Sequence, residues 1–136
     1  MATGYFTDEG HEHLLGAVFK NDTEGAFYAA LYNDTVIGTE TIATIQNEQT
    51  GTGYAQAAIT QDATGFPTLA LDSSEMQIET KTVTFTASST DWIAVTAICL
   101  CVDLATDKII AYANLSTITV GNGDSIDFIF KLKLTK

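Results

Sequence analysis

Two histidines flank a glutamate at His11-Glu12-His13, a donor set that binds zinc or another divalent ion when its side chains converge. The segment reads as helical, and on a helix residues two apart point in different directions, whereas a zinc protease carries its histidines four apart. The triplet is therefore expected to be a solvated helix face. Cys99 and Cys101 alternate with Leu100, so on a strand their thiols share a face with Cα atoms roughly 6.5–7 Å apart, at the edge of disulfide geometry. They read as buried thiols of a reducing compartment, and their apolar surroundings disfavour a thiolate nucleophile. The carboxylates Asp8, Glu9 and Glu12 belong to a helix start, with no partner or pocket indicated around them. Asp103, Asp107 and Asp124 lie near strand ends and can gather around calcium in space, although their spacing is not that of a calcium loop. Gly51-Thr52-Gly53-Tyr54 lacks the length and the lysine of a phosphate-binding loop, and no Gly-x-Ser-x-Gly elbow occurs. No catalytic, cofactor-binding or metal-binding residue, no cofactor and no enzyme activity are therefore expected. Tyr5, Phe6, Phe66 and Trp92 sit near expected element ends and can build a sugar-binding platform; the ordinary place for such side chains is the core.

The elements that would position these groups are mostly strands. Thr7 caps a helix of about three turns reaching Phe19, with Leu14, Leu15, Val18 and Phe19 at helical spacing and expected to lie on a sheet. Gly10 and Gly16 lower its intrinsic propensity. Ala26–Tyr32 is a strand with Phe27, Ala29 and Leu31 on one face. Thr39–Gln49 suits either a helical turn, through Ile42 and Ile45, or an extended loop with threonine side-chain hydrogen bonds. Gly51-Thr52-Gly53 turns the chain into a strand over Tyr54–Thr60, and Thr68–Leu71 is a short edge strand after the only proline, Pro67. Between Met76 and Thr86 the apolar phase changes, which calls for a bulge or bend near Thr80.

Past the polar corner Ser88–Asp91 comes the most informative stretch, Trp92 to Asp103. Trp92, Ala94, Ile98, Leu100 and Val102 alternate with Ile93, Val95, Ala97, Cys99 and Cys101, so both faces are apolar. Such a strand is central, covered by a second sheet and a helix or by another subunit. Ile109–Leu115 and Thr117–Val120 follow, Gly121-Asn122-Gly123-Asp124 signals a hairpin, and Ile126, Phe128, Phe130, Leu132 and Leu134 alternate along a last strand with Ile129 out of phase. Seven or eight short strands predict a mostly β fold: an antiparallel β-sandwich, jelly-roll-like, with a short N-terminal helix. No internal repeat or linker divides the chain, so residues 1–136 form one domain.

Charge narrows the function class. Seventeen acidic residues against six lysines give −11, with no arginine, a field that repels a nucleic-acid backbone and lacks its commonest recognition residue. No stretch has the length of a membrane span and the N-terminus lacks a signal-peptide pattern, so neither nucleic acid nor membrane is an expected partner. Roughly one residue in six is threonine, the composition of pleated surfaces that must stay wet.

The order of these features resembles a family of small tailed-bacteriophage virion proteins, variously head-decoration, capsid-fibre or tail-fibre-like. The likeness covers nearly the whole chain: a short helix then a strand, Gly51-Thr52-Gly53-Tyr54-Ala55, Val83-Thr84-Phe85, a polar corner to Asp91-Trp92, an acidic strand end at Asp103, the aliphatic strand Ile110–Leu115, and Gly123-Asp124. Family members often carry arginine after the Tyr-Ala pair and glycine after the tryptophan; this chain has Gln56 and Ile93. The resemblance implies a non-catalytic virion component assembled in the host bacterial cytoplasm. In its preferred form this is a trimeric capsid decoration (cement) protein on the capsid surface, bound to the major capsid protein lattice. The alternative is a tail-fibre or tail-tip module binding a receptor or glycan. On the cement reading, Met1, Ala2, Thr3, Gly4, Tyr5 and Phe6, or the loop Thr39–Thr50, grip the shell.

Overall fold

A computed structural model describes residues 4–20 and 25–134. In chain order it places β1 (Gly4–Phe6), α1 (Asp8–Phe19), β2 (Ala26–Tyr32), β3 (Ala57–Ile59), β4 (Thr68–Asp72), β5 (Glu75–Glu79), β6 (Val83–Thr86), β7 (Trp92–Asp103), β8 (Lys108–Val120), β9 (Ser125–Phe128) and β10 (Lys131–Leu134). Five strands form the main sheet in the order β1–β8–β7–β2–β3, three form β10–β5–β4, and two form β6–β9. Every pairing between them is antiparallel. The chain is mostly β, an antiparallel sandwich with one short helix near its N-terminus.

β7 is central and has no wet face from Ala97 to Val102, as its sequence demands. On one side Trp92, Val95, Ile98 and Leu100 join Ala29 and Leu31 of β2, with Val83 and Phe85 of β6 and Phe130 closing the core. On the other, Ala97, Cys99 and Cys101 meet Tyr28, Ala30 and Tyr32, covered by Val36, Ile42 and Ile45. The cover on this second side is thus an irregular segment over residues 33–50, where a helix or another subunit was expected. Hydrogen bonds from within the segment and from β8 and β2 hold its backbone, as burial against a sheet requires. Asn114 brackets Val36, accepting from its N–H at 2.9 Å and donating to its carbonyl at 2.8 Å. Glu40 accepts the N–H groups of Ile37 and Gly38, and Gln49 N–H donates to Leu31 O.

Simple alternation fails at the start of β7. Register shifts fall between Trp92 and Val95 and between Val95 and Ala97, and Ala94 adopts a left-handed φ of 59°. The irregularity turns Val95 to the face of Trp92, where alternation had placed it opposite.

The phase change near Thr80 is a bulge in a long ribbon. Val83 pairs Phe128 and Glu79 pairs Lys131, so residues 80–82 face only 129 and 130. Thr80 N–H donates to Phe130 O and Phe130 N–H to Thr80 Oγ1, both at 3.0 Å. The same kink divides the stretch read as one last strand into β9 and β10, in different sheets, with Ile129 exposed at the break. Gly121–Asp124 does turn the chain, with Gly123 at φ 86°. It passes from the main sheet to β6–β9, so the predicted hairpin between β8 and β9 does not form.

Helix α1 has the expected cap and length but the opposite orientation. Gly10, His13 and Gly16 are its buried residues, while Leu15, Val18 and Phe19 face solvent. Close approach decides this: a Cβ on Gly10 would lie 1.9 Å from Ile110 O, so the glycine admits the β8 backbone where a leucine would hold it off. The helix start in turn completes a second bulge. Leu100 pairs Ala111 and Cys101 pairs Ile109, leaving Ile110 extra. Thr7 N–H donates to Ile110 O at 3.1 Å, its hydroxyl donates to Ile109 O and accepts from Gly10 N–H, and Glu9 accepts the Ile109 N–H at 3.2 Å.

Candidate interaction surfaces

Apolar side chains left in water are the features of this sandwich that core packing does not explain. Two groups of them stand out, beside the single exposed side chains of Tyr5, Ile37 and Ile129. On α1, Leu15, Val18 and Phe19 stand at i, i+3 and i+4, hence on one side of the helix, with Phe19 80% exposed. The helix also carries Asp8 and Glu9 in its first turn and no basic residue in its last.

The second group lies on β4–β5–β10. Cross-strand partners share a face of a sheet, so the register Leu69↔Ile78↔Leu132 and the next row, Leu71↔Met76, place five apolar side chains on one side. Leu132 and Phe130 pack into or against the main core at the near end. Farther out the cover stops: Leu69 is 68% exposed, Leu71 69% and Met76 43%. The opposite face is polar, with Lys131 pairing Glu79 at 3.1 Å and Lys133 pairing Asp72 at 2.5 Å.

The sequence candidates for chemistry do not converge. His13 is buried and His11 lies against Phe6, their rings 5.5 Å apart. Glu12 reaches Lys108 at 3.8 Å. Asp107 accepts from Tyr28 Oη at 2.9 Å and from Leu104 N–H. It stands with Asp103 at the Val102↔Lys108 end of the β7–β8 ladder, whereas Asp124 follows Val120 at the other end, so the three cannot share an ion. Among the described residues no three metal-ligating side chains cluster. Cys99 and Cys101 are free, buried and on one face. Burial, then the field of Glu40, pushes the Cys99 thiol up to about 12, and burial raises Cys101 well above its ordinary value. Burial also raises the phenols of Tyr28, Tyr32 and Tyr54.

The four aromatics do not make a platform. Trp92 is a core residue, edge-on to Tyr54, and Phe66 packs edge-on against Phe27. Tyr5 leans on Tyr112 and is 60% exposed. Of the proposed arm, Gly4, Tyr5 and Phe6 form edge strand β1, paired with Ala113, Tyr112 and Ala111; Met1, Ala2 and Thr3 lie outside the described residues. The Thr39–Thr50 loop is anchored by Ile42 and Ile45 on the second core.

No family model matches this chain, and no curated protein does. The likeness to small virion proteins therefore stands on the motifs quoted from the sequence. The apolar faces were missed there because alternation and helical spacing reveal an apolar side without saying what covers it. The available signal was the pair Leu69 and Leu71 on a short edge strand: edge strands usually carry charge on their exposed positions.

Proposed function

We propose that the protein is a bacteriophage structural component, a capsid decoration protein that assembles as a homo-oligomer, in the reading from sequence a trimer, and binds the major capsid protein lattice from the outer surface of the head. One observation carries the proposal: a well-packed small sandwich presents two separate apolar faces, on α1 and on β4–β5–β10. A cement protein makes two kinds of contact, with its own copies and with the shell. On this reading it works without catalysis or a cofactor. Binding only to the assembled shell stabilises that shell by RT ln(1 + [L]/Kd), a gain repeated at every lattice site and opposed to the pressure of packaged DNA. The chain's negative charge and threonine-rich strands suit the outward side of such a layer.

The experiment is co-sedimentation of the purified protein with empty expanded heads of the parent phage, beside the host cells. Saturable binding to heads with none to cells is the expected result. Binding to cells or glycans with none to heads would replace cement with a tail-tip module. The N-terminal arm is tested by deleting Met1–Thr3 alone, since a cut through Phe6 also removes β1 and its pairing with β8. Undiminished binding would exclude those three residues from the contact.

A further inference from the structure

We infer that the apolar face of β4–β5–β10 is the self-association surface of this protein, occupied by the same face of other copies. The inference deepens the assembly reading just given and rests on it for its purpose, while making a claim about the isolated protein in solution.

Three observations choose a second copy as the occupant. The first is continuity. The apolar side of this sheet begins inside the core at Phe130 and Leu132, continues through Ile78, and runs into water at Leu69, Leu71 and Met76. It is one layer of a sandwich whose other layer ends too soon, and the missing layer is best supplied by a sheet of the same kind.

The second is charge. A chain of net −11 meets its own copy under general repulsion. The strands β4, β5 and β10 hold Asp72, Glu75 and Glu79 against Lys131 and Lys133, a balance of −1. Lys131–Glu79 and Lys133–Asp72 close ion pairs on the face opposite the apolar one. Leu69, Leu71, Met76, Ile78 and Leu132 carry no charge, so two copies can bring these faces together without burying a carboxylate. The α1 face is unsuited to the same contact: Asp8 and Glu12 lie on the same side of the helix as Leu15 and Phe19, so apposing two copies there brings carboxylates together. That border fits a different and more basic partner, such as a shell surface.

The third is area. From their exposures, Leu69, Leu71 and Met76 offer roughly 350 Å² per copy, backbone atoms included, the larger share of the apolar part of a standard interface that buries roughly 800 Å² per partner. A face laid squarely on its own copy closes about a twofold axis, whereas around a threefold axis one part of the face meets a different part of the next copy's.

The test uses the full-length protein alone, by sedimentation velocity and light scattering between about 1 and 100 µM, without heads. The wild type is expected at a multiple of its protomer mass. Leu69→Glu/Leu71→Glu is expected at the protomer mass, its dissociation constant raised at least about 100-fold by placing carboxylates face to face. Both positions are exposed in the protomer, and the fluorescence of Trp92 checks folding. Should that variant unfold, Leu71→Ser is expected to weaken association about tenfold. Val18→Glu/Phe19→Glu is expected to keep the oligomeric mass. A wild type at protomer mass at 100 µM, an undiminished oligomer in the β4 variants, or dissociation caused equally by the α1 variant would each overturn the assignment. Since no heads are present, these outcomes leave the head-binding result to judge the cement reading separately.

Discussion

The indole N–H of Trp92 donates to the carbonyl oxygen of Thr52 at 3.0 Å, joining the first residue of the central strand to the Gly51–Gly53 loop. The loop lies so close that a Cβ on Gly51 would stand 2.2 Å from Trp92 Cδ1. Gly51→Ala is therefore expected to destabilise the fold by about 1–3 kcal/mol, the usual cost of forcing extra volume into a packed site. Trp92 is the only tryptophan, so urea unfolding followed by its emission reads both the loss and the local disturbance. An unchanged midpoint would mean that the loop is not held against the indole.

The left-handed φ of 59° at Ala94 is strain that a glycine would relieve. Ala94→Gly is expected to be neutral or to stabilise by up to about 1 kcal/mol, because the relief exceeds the entropy that glycine adds to the unfolded chain. Ala94→Val is expected to cost more than about 1 kcal/mol. The two substitutions changing urea stability in the same direction would contradict the bulge geometry at Trp92–Val95.

Thr7 caps α1 and serves the Ile109–Ile110 bulge of β8 with one hydroxyl. Thr7→Ala is expected to cost about 1–2 kcal/mol, for a lost cap and a buried carbonyl left short of a donor. Thr7→Ser, which keeps the hydroxyl, is expected to retain most of the stability. Thermal melts of the pair distinguish the hydrogen bonds from simple packing.

Both cysteines are buried thiols. In native protein at pH 8 a thiol-specific reagent is expected to label neither, and in urea to label both within minutes. The raised Cys99 thiol also sets a sign at high pH. The unfolded thiol ionises near 9.0 and the folded one near 12, so above about pH 9 the unfolded state alone loses its proton and stability falls as pH rises. Cys99→Ala is expected to flatten that alkaline limb.

The acid limb has the opposite sign. Asp62 is held below its ordinary value chiefly by the Gly65 N–H, with the Thr60 hydroxyl and Thr64 N–H also donating. Asp72 is lowered chiefly by its hydrogen bond from Lys133. A depressed carboxylate contributes stability above its unfolded value of 3.8, and that contribution is lost as pH falls through the lower folded value. The stability gap between wild type and Asp62→Asn is expected to close on acidification below pH 4. A gap independent of pH would show that the carboxylate's charge plays no part.

Strand identity was legible wherever alternation met turn chemistry. Ala26–Tyr32 reads as a strand and is one from its first residue to its last. The doubly apolar run ending at Asp103 reads as central and is. The phase reversal around Thr80 reads as a bulge or bend, and the register there has three residues facing two. These features are local, fixed by which side chains can share a face and which residues interrupt a ladder.

Tertiary packing decided the rest. Helical spacing in α1 identifies an apolar side at Leu15, Val18 and Phe19, yet the backbone of β8 comes so near at Gly10 that the side bearing this glycine faces it. Gly121–Asp124 is a turn in any context; whether it joins partners in one sheet or carries the chain between layers depends on where β6 lies. The same holds for Leu69, Leu71 and Met76, which their pattern marks as one apolar face and which the described residues leave exposed. Sequence alone determined strands such as Ala26–Tyr32, the cap and the buried thiols, because hydrogen bonding and side-chain alternation act over a few residues. The structure decided which apolar faces were buried, because burial depends on parts of the chain far apart in sequence.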